Sequence, residues 1–98
     1  MFKLHKDKKK GVIVITGILT IANVEALYAE LKELFNEDAS VTIDCSGVTE
    51  IDTAALQLFI ALKRSFLEMS RPIVYITSSA IDEALALSGL TKLFLLAA

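Results

Sequence analysis

Val41-Thr42-Ile43-Asp44-Cys45-Ser46-Gly47-Val48-Thr49-Glu50-Ile51-Asp52-Thr53-Ala54-Ala55-Leu56-Gln57 is the stretch on which the fold turns. Val41, Ile43 and Cys45 alternate with Thr42 and Asp44, as in a strand covered on one side and wet on the other. That alternation places helices mainly on one face of a sheet. Residues 46–51 then read as a loop, and from Ala54 the period becomes helical. At the junction a hydroxyl, Thr53, directly follows a carboxylate, Asp52. The first N–H groups of a helix have no partner inside it, and with the aligned peptide dipoles they favour negative charge. A hydroxyl placed there serves as an ordinary cap, or as a position that carries phosphate and changes what the protein binds.

Downstream, the helix expected over 54–69 is apolar nearly all round for two turns, through Leu56, Leu58, Phe59, Ile60 and Leu62. It should be the most buried helix, with Lys63, Arg64 and Glu68 returning it to water. Arg71-Pro72 stops it, and residues 73–77 make another strand. Ser79 and Asp82 resemble an acidic capping box for a short helix over 80–88, closed by Gly89. Residues 93–96 read as a final strand. Upstream, Val24, Leu27, Tyr28, Leu31, Leu34 and Phe35 fall at helical spacing, opposite Glu25, Lys32 and Glu33. Asn23 is the natural cap of that helix, and Asn36, Glu37 and Asp38 end it. Residues 2–5 and 12–15 read as strands joined by a hairpin loop at 8–11. The expected order is β-β-α-β-α-β-α-β, and right-handed crossovers require the later strands to run parallel. This is a small α/β protein.

The chain has 98 residues, which predicts one domain spanning 1–98. With 54% apolar residues and only 22% charged ones it can fill a core, and disorder is not expected. A net charge of −2 gives no electrostatic case for nucleic acid; Lys6, Lys8, Lys9 and Lys10 read as a solvated loop beside Gly11. One cysteine cannot form an internal disulfide, so a reducing compartment fits. The basic stretch before the apolar residues 12–22 mimics a signal peptide, yet that segment is largely β-branched, broken by Gly17, and needed for strands. No apolar run reaches the length of a membrane span, about 18 residues. A cytoplasmic protein is expected.

Enzyme chemistry finds little to stand on. His5 is the sole histidine, and a triad or metal site needs several convergent groups. Cys45 falls on the covered side of its strand, as a structural thiol does. The four glycines are scattered and none precedes a Lys-Ser/Thr pair, so no phosphate loop exists. Asp44, Glu50 and Asp52 read as surface charge rather than a shared pocket. No cofactor or metal is expected. Asp52 is a good helix cap; with it in that role Thr53 becomes the first helical residue, its hydroxyl projecting from the edge. A phosphate there would add about −1.5 to −2 charge where the dipole tolerates it, while a partner packed over the edge would have to desolvate it.

At these residues the sequence resembles a STAS domain, the module shared by sulfate transporters and anti-sigma-factor antagonists. The resemblance runs over essentially the whole chain. It rests on Gly17-Ile18-Leu19-Thr20-Ile21, on Val41-Thr42-Ile43-Asp44-Cys45-Ser46-Gly47-Val48 and on Ile51-Asp52-Thr53-Ala54-Ala55-Leu56. Ser88-Gly89-Leu90 and Lys92-Leu93-Phe94 also fit. It implies a mixed four- to five-stranded sheet with helices mainly on one face, and a non-enzymatic, protein-binding role. In the antagonists the hydroxyl residue after the loop aspartate is phosphorylated by an anti-sigma-factor serine kinase, and the unphosphorylated form sequesters that kinase. By position that residue is Thr53, preceded by Asp52, and the loop at 20–23 belongs to the family's partner surface. The candidate contact residues are therefore Thr20, Ile21, Asn23, Ser46, Glu50, Asp52, Thr53, Ala54 and Gln57.

Two departures stand out: antagonists usually carry aspartate where this chain has Thr20, and glycine where it has Ala55. They bring the chain nearer to stand-alone STAS proteins, such as the small subunit on the ATPase of a lipid transporter or modules linked to chemotaxis. The expected partner is accordingly a protein, either an anti-sigma-factor serine kinase or a transporter or signalling subunit. The terminal helix of many relatives is not expected, so residues 93–96 would leave apolar surface that invites a homodimer or partner contact.

Overall fold

A computed structural model describes residues 1–7, 9, 11–35 and 41–96. The elements are β1 (Phe2–Asp7), β2 (Val12–Leu19), α1 (Val24–Leu34), β3 (Val41–Ile51), α2 (Thr53–Glu68), β4 (Ile73–Ile76), α3 (Ser79–Ser88) and α4 (Thr91–Leu96). Their strands form one mixed sheet in the order β1-β2-β3-β4. β1 runs antiparallel to β2, while β2, β3 and β4 are mutually parallel. Asp7 pairs with Val12 at the hairpin end, where the Gly11 N–H donates to the Asp7 carbonyl at 2.8 Å. Lys8 and Lys10 of the expected loop lie outside the described residues, as do Asn36, Glu37 and Asp38.

The alternation in β3 does what its pattern implies. Val41, Ile43 and Cys45 are buried with Ile13 and Ile15 of β2 and Ile73 of β4. On the opposite face Val74 and Ile76 are exposed, and Val12, Val14, Thr42 and Asp44 are half-exposed. α1 and α2 pack on the core face, α1 through buried Leu27 and Leu31. Phe59 of α2 is fully buried there and stacks, tilted, against Tyr75 at 4.8 Å, and Tyr75 in turn meets Phe94 at 5.3 Å. The Tyr75 hydroxyl donates to the Phe59 carbonyl at 2.9 Å, and burial holds its ionisation well above the usual range. Truncating such a core ring typically costs about 3–5 kcal/mol.

Several expectations are corrected. Residues 46–51 are not a loop: β3 continues through them, and β2 extends four residues past Ile15 to match it. The pairing shifts register between Val14 and Thr16 and again between Gly17 and Ile18. Gly47 sits opposite Thr16, and a Cβ there would come within 2.6 Å of the threonine methyl. A residue that reads as a turn former is thus what lets two strands close up across an irregular register.

Residues 93–96 are helical rather than extended. A short apolar run does not by itself distinguish strand from helix. The chain settles on helix because Phe94 is buried and Leu90, four residues before it, packs on the core. Lys63 does not return α2 to water either; it is 8% exposed, covered by α4, with Nζ donating to the Phe94 carbonyl at 3.1 Å. The cap of α3 is Ser78, not Ser79: its hydroxyl accepts from the Ile81 N–H at 3.2 Å. Gly89 closes that helix in the left-handed region (φ 74°), as its position implies. Tyr28, expected on the core side of α1, is exposed, and Lys32 Nζ stands 5.3 Å from its ring centroid. Leu27 and Leu31 alone are the buried residues of α1.

Candidate functional site

Leu19 pairs with Ile51 at the C-terminal ends of β2 and β3. Just beyond them the chain leaves the sheet twice, through residues 20–23 into α1 and through Asp52 into α2. In open α/β sheets, ligands and partners gather at this end of parallel strands.

Asp52 ties the two exits together. Its backbone is extended (φ −105°, ψ 177°), which suits a helix N-cap. Oδ1 accepts from the Ala55 N–H at 3.1 Å, satisfying a donor that the helix leaves open. Oδ2 accepts from the Ile21 N–H at 2.7 Å, across 31 residues of sequence. The Asp52 N–H donates to the Leu19 carbonyl at 3.0 Å, and its carbonyl accepts from Leu56 at 3.1 Å. The carboxylate is therefore both the cap of α2 and a staple that holds the neighbouring loop. Its negative charge also complements the positive end of the α2 dipole.

Asn23 occupies the cap position of α1 but makes no side-chain cap. Its side chain turns back into its own loop, with Oδ1 accepting from the Thr20 N–H at 2.8 Å and Nδ2 donating to the Ile18 carbonyl at 2.9 Å. The Asn23 N–H also donates to the Thr20 carbonyl at 3.0 Å, which closes the turn. Thr49 Oγ1 adds a long bond of 3.3 Å to the Gly17 carbonyl. These bonds fix the backbone of residues 20–23 and leave the Ile21 side chain 73% exposed.

The candidate residues divide accordingly. The loop of Thr20, Ile21 and Asn23 is joined through the Ile21–Asp52 bond to the start of α2, which carries Thr53, Ala54 and Gln57, and together they make one rim. Thr53 and Gln57, four residues apart on one face of α2, are exposed, and Ala54 is half-buried. Glu50 is exposed and pairs in register with Ile18 at the edge of the same region. Ser46 is not brought to the rim. It lies six residues back along β3, roughly 20 Å at the usual strand rise. There its N–H and hydroxyl both donate to Asp44 Oδ1, at 2.9 and 2.6 Å. Ala55 is fully buried, so its methyl packs beneath the rim instead of facing a partner.

Sequence reading alone missed the Asp52–Ile21 bond and the backward turn of Asn23. The Thr20-x-x-Asn23 spacing was the available signal for the second, since asparagine commonly bonds backbone two or three residues away. No spacing signals the first, which exists only once two loops meet.

The site holds hydroxyl, amide, carboxylate and aliphatic groups. Among the described residues no cluster of three or more histidine, cysteine, aspartate or glutamate side chains is placed to hold a metal ion. Cys45 is buried on the core face, its ionisation pushed up to about 12 by burial and then by the Asp44 carboxylate. His5 is exposed on β1, the far edge strand. What the rim offers is a hydrogen-bonded surface of mixed polarity around exposed Ile21 and exposed Thr53.

No curated protein matches the chain. The family model described as "Mlab, STAS domain" matches residues 2–97, nearly the whole length, and with the mixed four-stranded sheet and four helices already described, the chain belongs to the STAS domain family.

Proposed function

We propose that this STAS domain is a non-enzymatic module that binds one protein partner through the rim formed by Thr20, Ile21, Asn23, Glu50, Asp52, Thr53, Ala54 and Gln57. STAS domains are in general non-enzymatic regulatory modules that interact with protein partners. Among the described residues, no helix is long and apolar enough to cross a membrane. The observation that carries the reading is the Asp52 carboxylate, which ties the loop bearing exposed Ile21 to the first turn of α2, where Thr53 is exposed. A surface ordered before binding loses less entropy on docking, which favours affinity from a small contact.

In this reading Thr53 is the control point. Phosphate on its hydroxyl would stand at the N-terminus of α2, tolerable to the fold, and would have to be desolvated by any partner covering the rim. The partner is then of the anti-sigma-factor kinase type. Thr53→Asp and Thr53→Glu should abolish capture of the partner that the wild type retrieves from its native cell lysate, with a melting temperature close to wild type. Equal capture of that partner by both forms would reject the switch.

A second reading is favoured by Thr20. Where antagonists carry an aspartate in this loop, Thr20 has its N–H taken by Asn23 and brings no charge. The chain would then be a constitutive subunit of a transporter of the lipid-transport ATPase type, or of a chemotaxis-linked complex, never phosphorylated. It predicts that no kinase in the lysate labels wild-type protein at Thr53, and that Thr53→Ala changes partner affinity only through packing.

A further inference from the structure

A second place in the molecule, remote from the rim along α2, combines a cavity with an incompletely satisfied cation. Edge strand β4, α3 and α4 border a half-open cleft of about 640 Å³. That lies within the range of pockets that hold drug-sized molecules, roughly 300–1,000 Å³. Its walls are mostly hydrocarbon and aromatic, from Ile73, Tyr75, Leu85, Phe94 and Leu95, and Lys63 of α2 also lines it. Lys63 is more than nine-tenths buried. Of the three N–H donors on Nζ, one goes to the Phe94 carbonyl, and the ammonium stands 5.1 Å from the Phe94 ring centroid. Among the described residues no carboxylate pairs with it.

Burying an ammonium is costly unless an anion and hydrogen bonds compensate it. A carbonyl and a ring face compensate it in part, and burial lowers its pKa. The group that would complete the site is a single carboxylate carried on a hydrocarbon body. Asp82, exposed at the same cavity, disfavours ligands with several negative charges.

We propose that the cavity between β4, α3 and α4 binds a fatty-acid-type amphiphile, whose one carboxylate pairs with Lys63 and whose chain lies against Ile73, Tyr75, Leu85 and Phe94. The competing occupant is an extended peptide added beside β4, because an edge strand leaves backbone groups unpaired. The walls favour the amphiphile. β4 spans four residues, so only about half of them can direct N–H and C=O groups outward. A peptide would bring a polar pair at every residue into a space lined mainly by hydrocarbon. The inference is independent of the rim and of Thr53.

The test titrates the full-length protein at pH 7 with octanoate, decanoate and dodecanoate below their micelle concentrations. Calorimetry gives affinity and amide NMR gives location. Saturable one-to-one binding is expected, tightening by up to about fourfold per added CH₂. Uncharged decanol should bind roughly ten- to a hundredfold more weakly than decanoate, and Lys63→Met should weaken decanoate by a similar factor. Ala86 is exposed and lines the cavity, so Ala86→Trp should block binding without disturbing the core. If Lys63→Met fails to fold, the decanol and Ala86→Trp arms decide. Absence of saturable binding, equal affinity for decanol and decanoate, or shifts centred on Val14 and His5 of the open sheet face would overturn the proposal. So would binding of an apolar peptide in the cavity where all three fatty acids fail.

Discussion

Replacing Asp52 separates the two jobs that its carboxylate does at once. Alanine removes both: the cap on α2 through Ala55 and the staple to Ile21. The cap is worth about 1 kcal/mol. A hydrogen bond to a charged group is worth about 1.5–3 kcal/mol when enclosed, but this one is reached by solvent, so about 1 kcal/mol is the appropriate share. Asp52→Ala should therefore cost about 2 kcal/mol, and at 4–8 °C per kcal/mol for a domain this size its melting temperature should fall by about 8–16 °C. Asp52→Asn keeps one acceptor where two N–H donors converge. It can serve Ala55 or Ile21 but not both, so it should lose about 1 kcal/mol and about 4–8 °C. Urea unfolding with an unchanged m-value gives the two stabilities. Hydrogen exchange at the Ile21 amide supplies the residue-specific readout, and that amide should lose protection in Asp52→Ala before the sheet does. Asparagine as stable as wild type, or Ile21 exchanging equally in wild type and Asp52→Ala, would refute the view that this carboxylate organises the rim.

Gly47→Ala should destabilise by about 1–3 kcal/mol, since the new methyl meets Thr16 at 2.6 Å; Thr16→Ser, lacking that methyl, should restore part of the loss in a double-mutant cycle measured by urea unfolding. Cys45 gives a pH signature. Burial raises its folded-state ionisation from 9.0 to about 12, so the folded chain holds the proton that the unfolded chain releases. Stability should fall as pH rises from about 9 toward 12, by at most about 1.4 kcal/mol per pH unit, and Cys45→Ala should remove that part of the slope whatever it does to stability at pH 7. Ile21→Asp should leave the melting temperature within about 2 °C, as its side chain is largely exposed, yet abolish partner capture; retained capture would move the docking surface elsewhere.

The parts of this fold that can be read along the chain are those decided by local periodicity. β3 announced itself because Val41, Ile43 and Cys45 alternate with polar residues, and α2 because its apolar positions fill more than one face. Where two elements decide the outcome together, local reading falls short. Residues 46–51 look like a loop because Ser46 and Gly47 are turn formers, whereas Gly47 is there for the approach of Thr16. Lys63 looks like a return to solvent because the helix period says nothing about α4, which folds back over it. Residues 93–96 carry no period, so only the core position of Phe94 selects the helix. The rim has the same division: Thr53 after Asp52 is visible as a capped helix start, while the grip of Asp52 on Ile21 requires β2 and β3 to lie side by side.

The chemistry of the rim bears on how a phosphate would act there. Segments that fold around a phosphate do so by bringing arginine or lysine to it, which turns modification into an ordering event. Residues 20–23, 50–54 and 57 contain no lysine, arginine or histidine; their charges are the carboxylates of Glu50 and Asp52. A phosphate on Thr53 would gain from the N-terminus of α2 but would be repelled by Asp52, whose oxygens are already committed to Ala55 and Ile21. With no cation among these residues to receive it, the group would stay hydrated, and the rim would have little reason to rearrange. The energetic consequence would fall almost wholly on the complex, where covering the rim means stripping water from about two added charges. A partner that docks on this acidic, aliphatic surface would be expected to bring an apolar recess for Ile21 and a cation near Glu50, and salt would then weaken its binding.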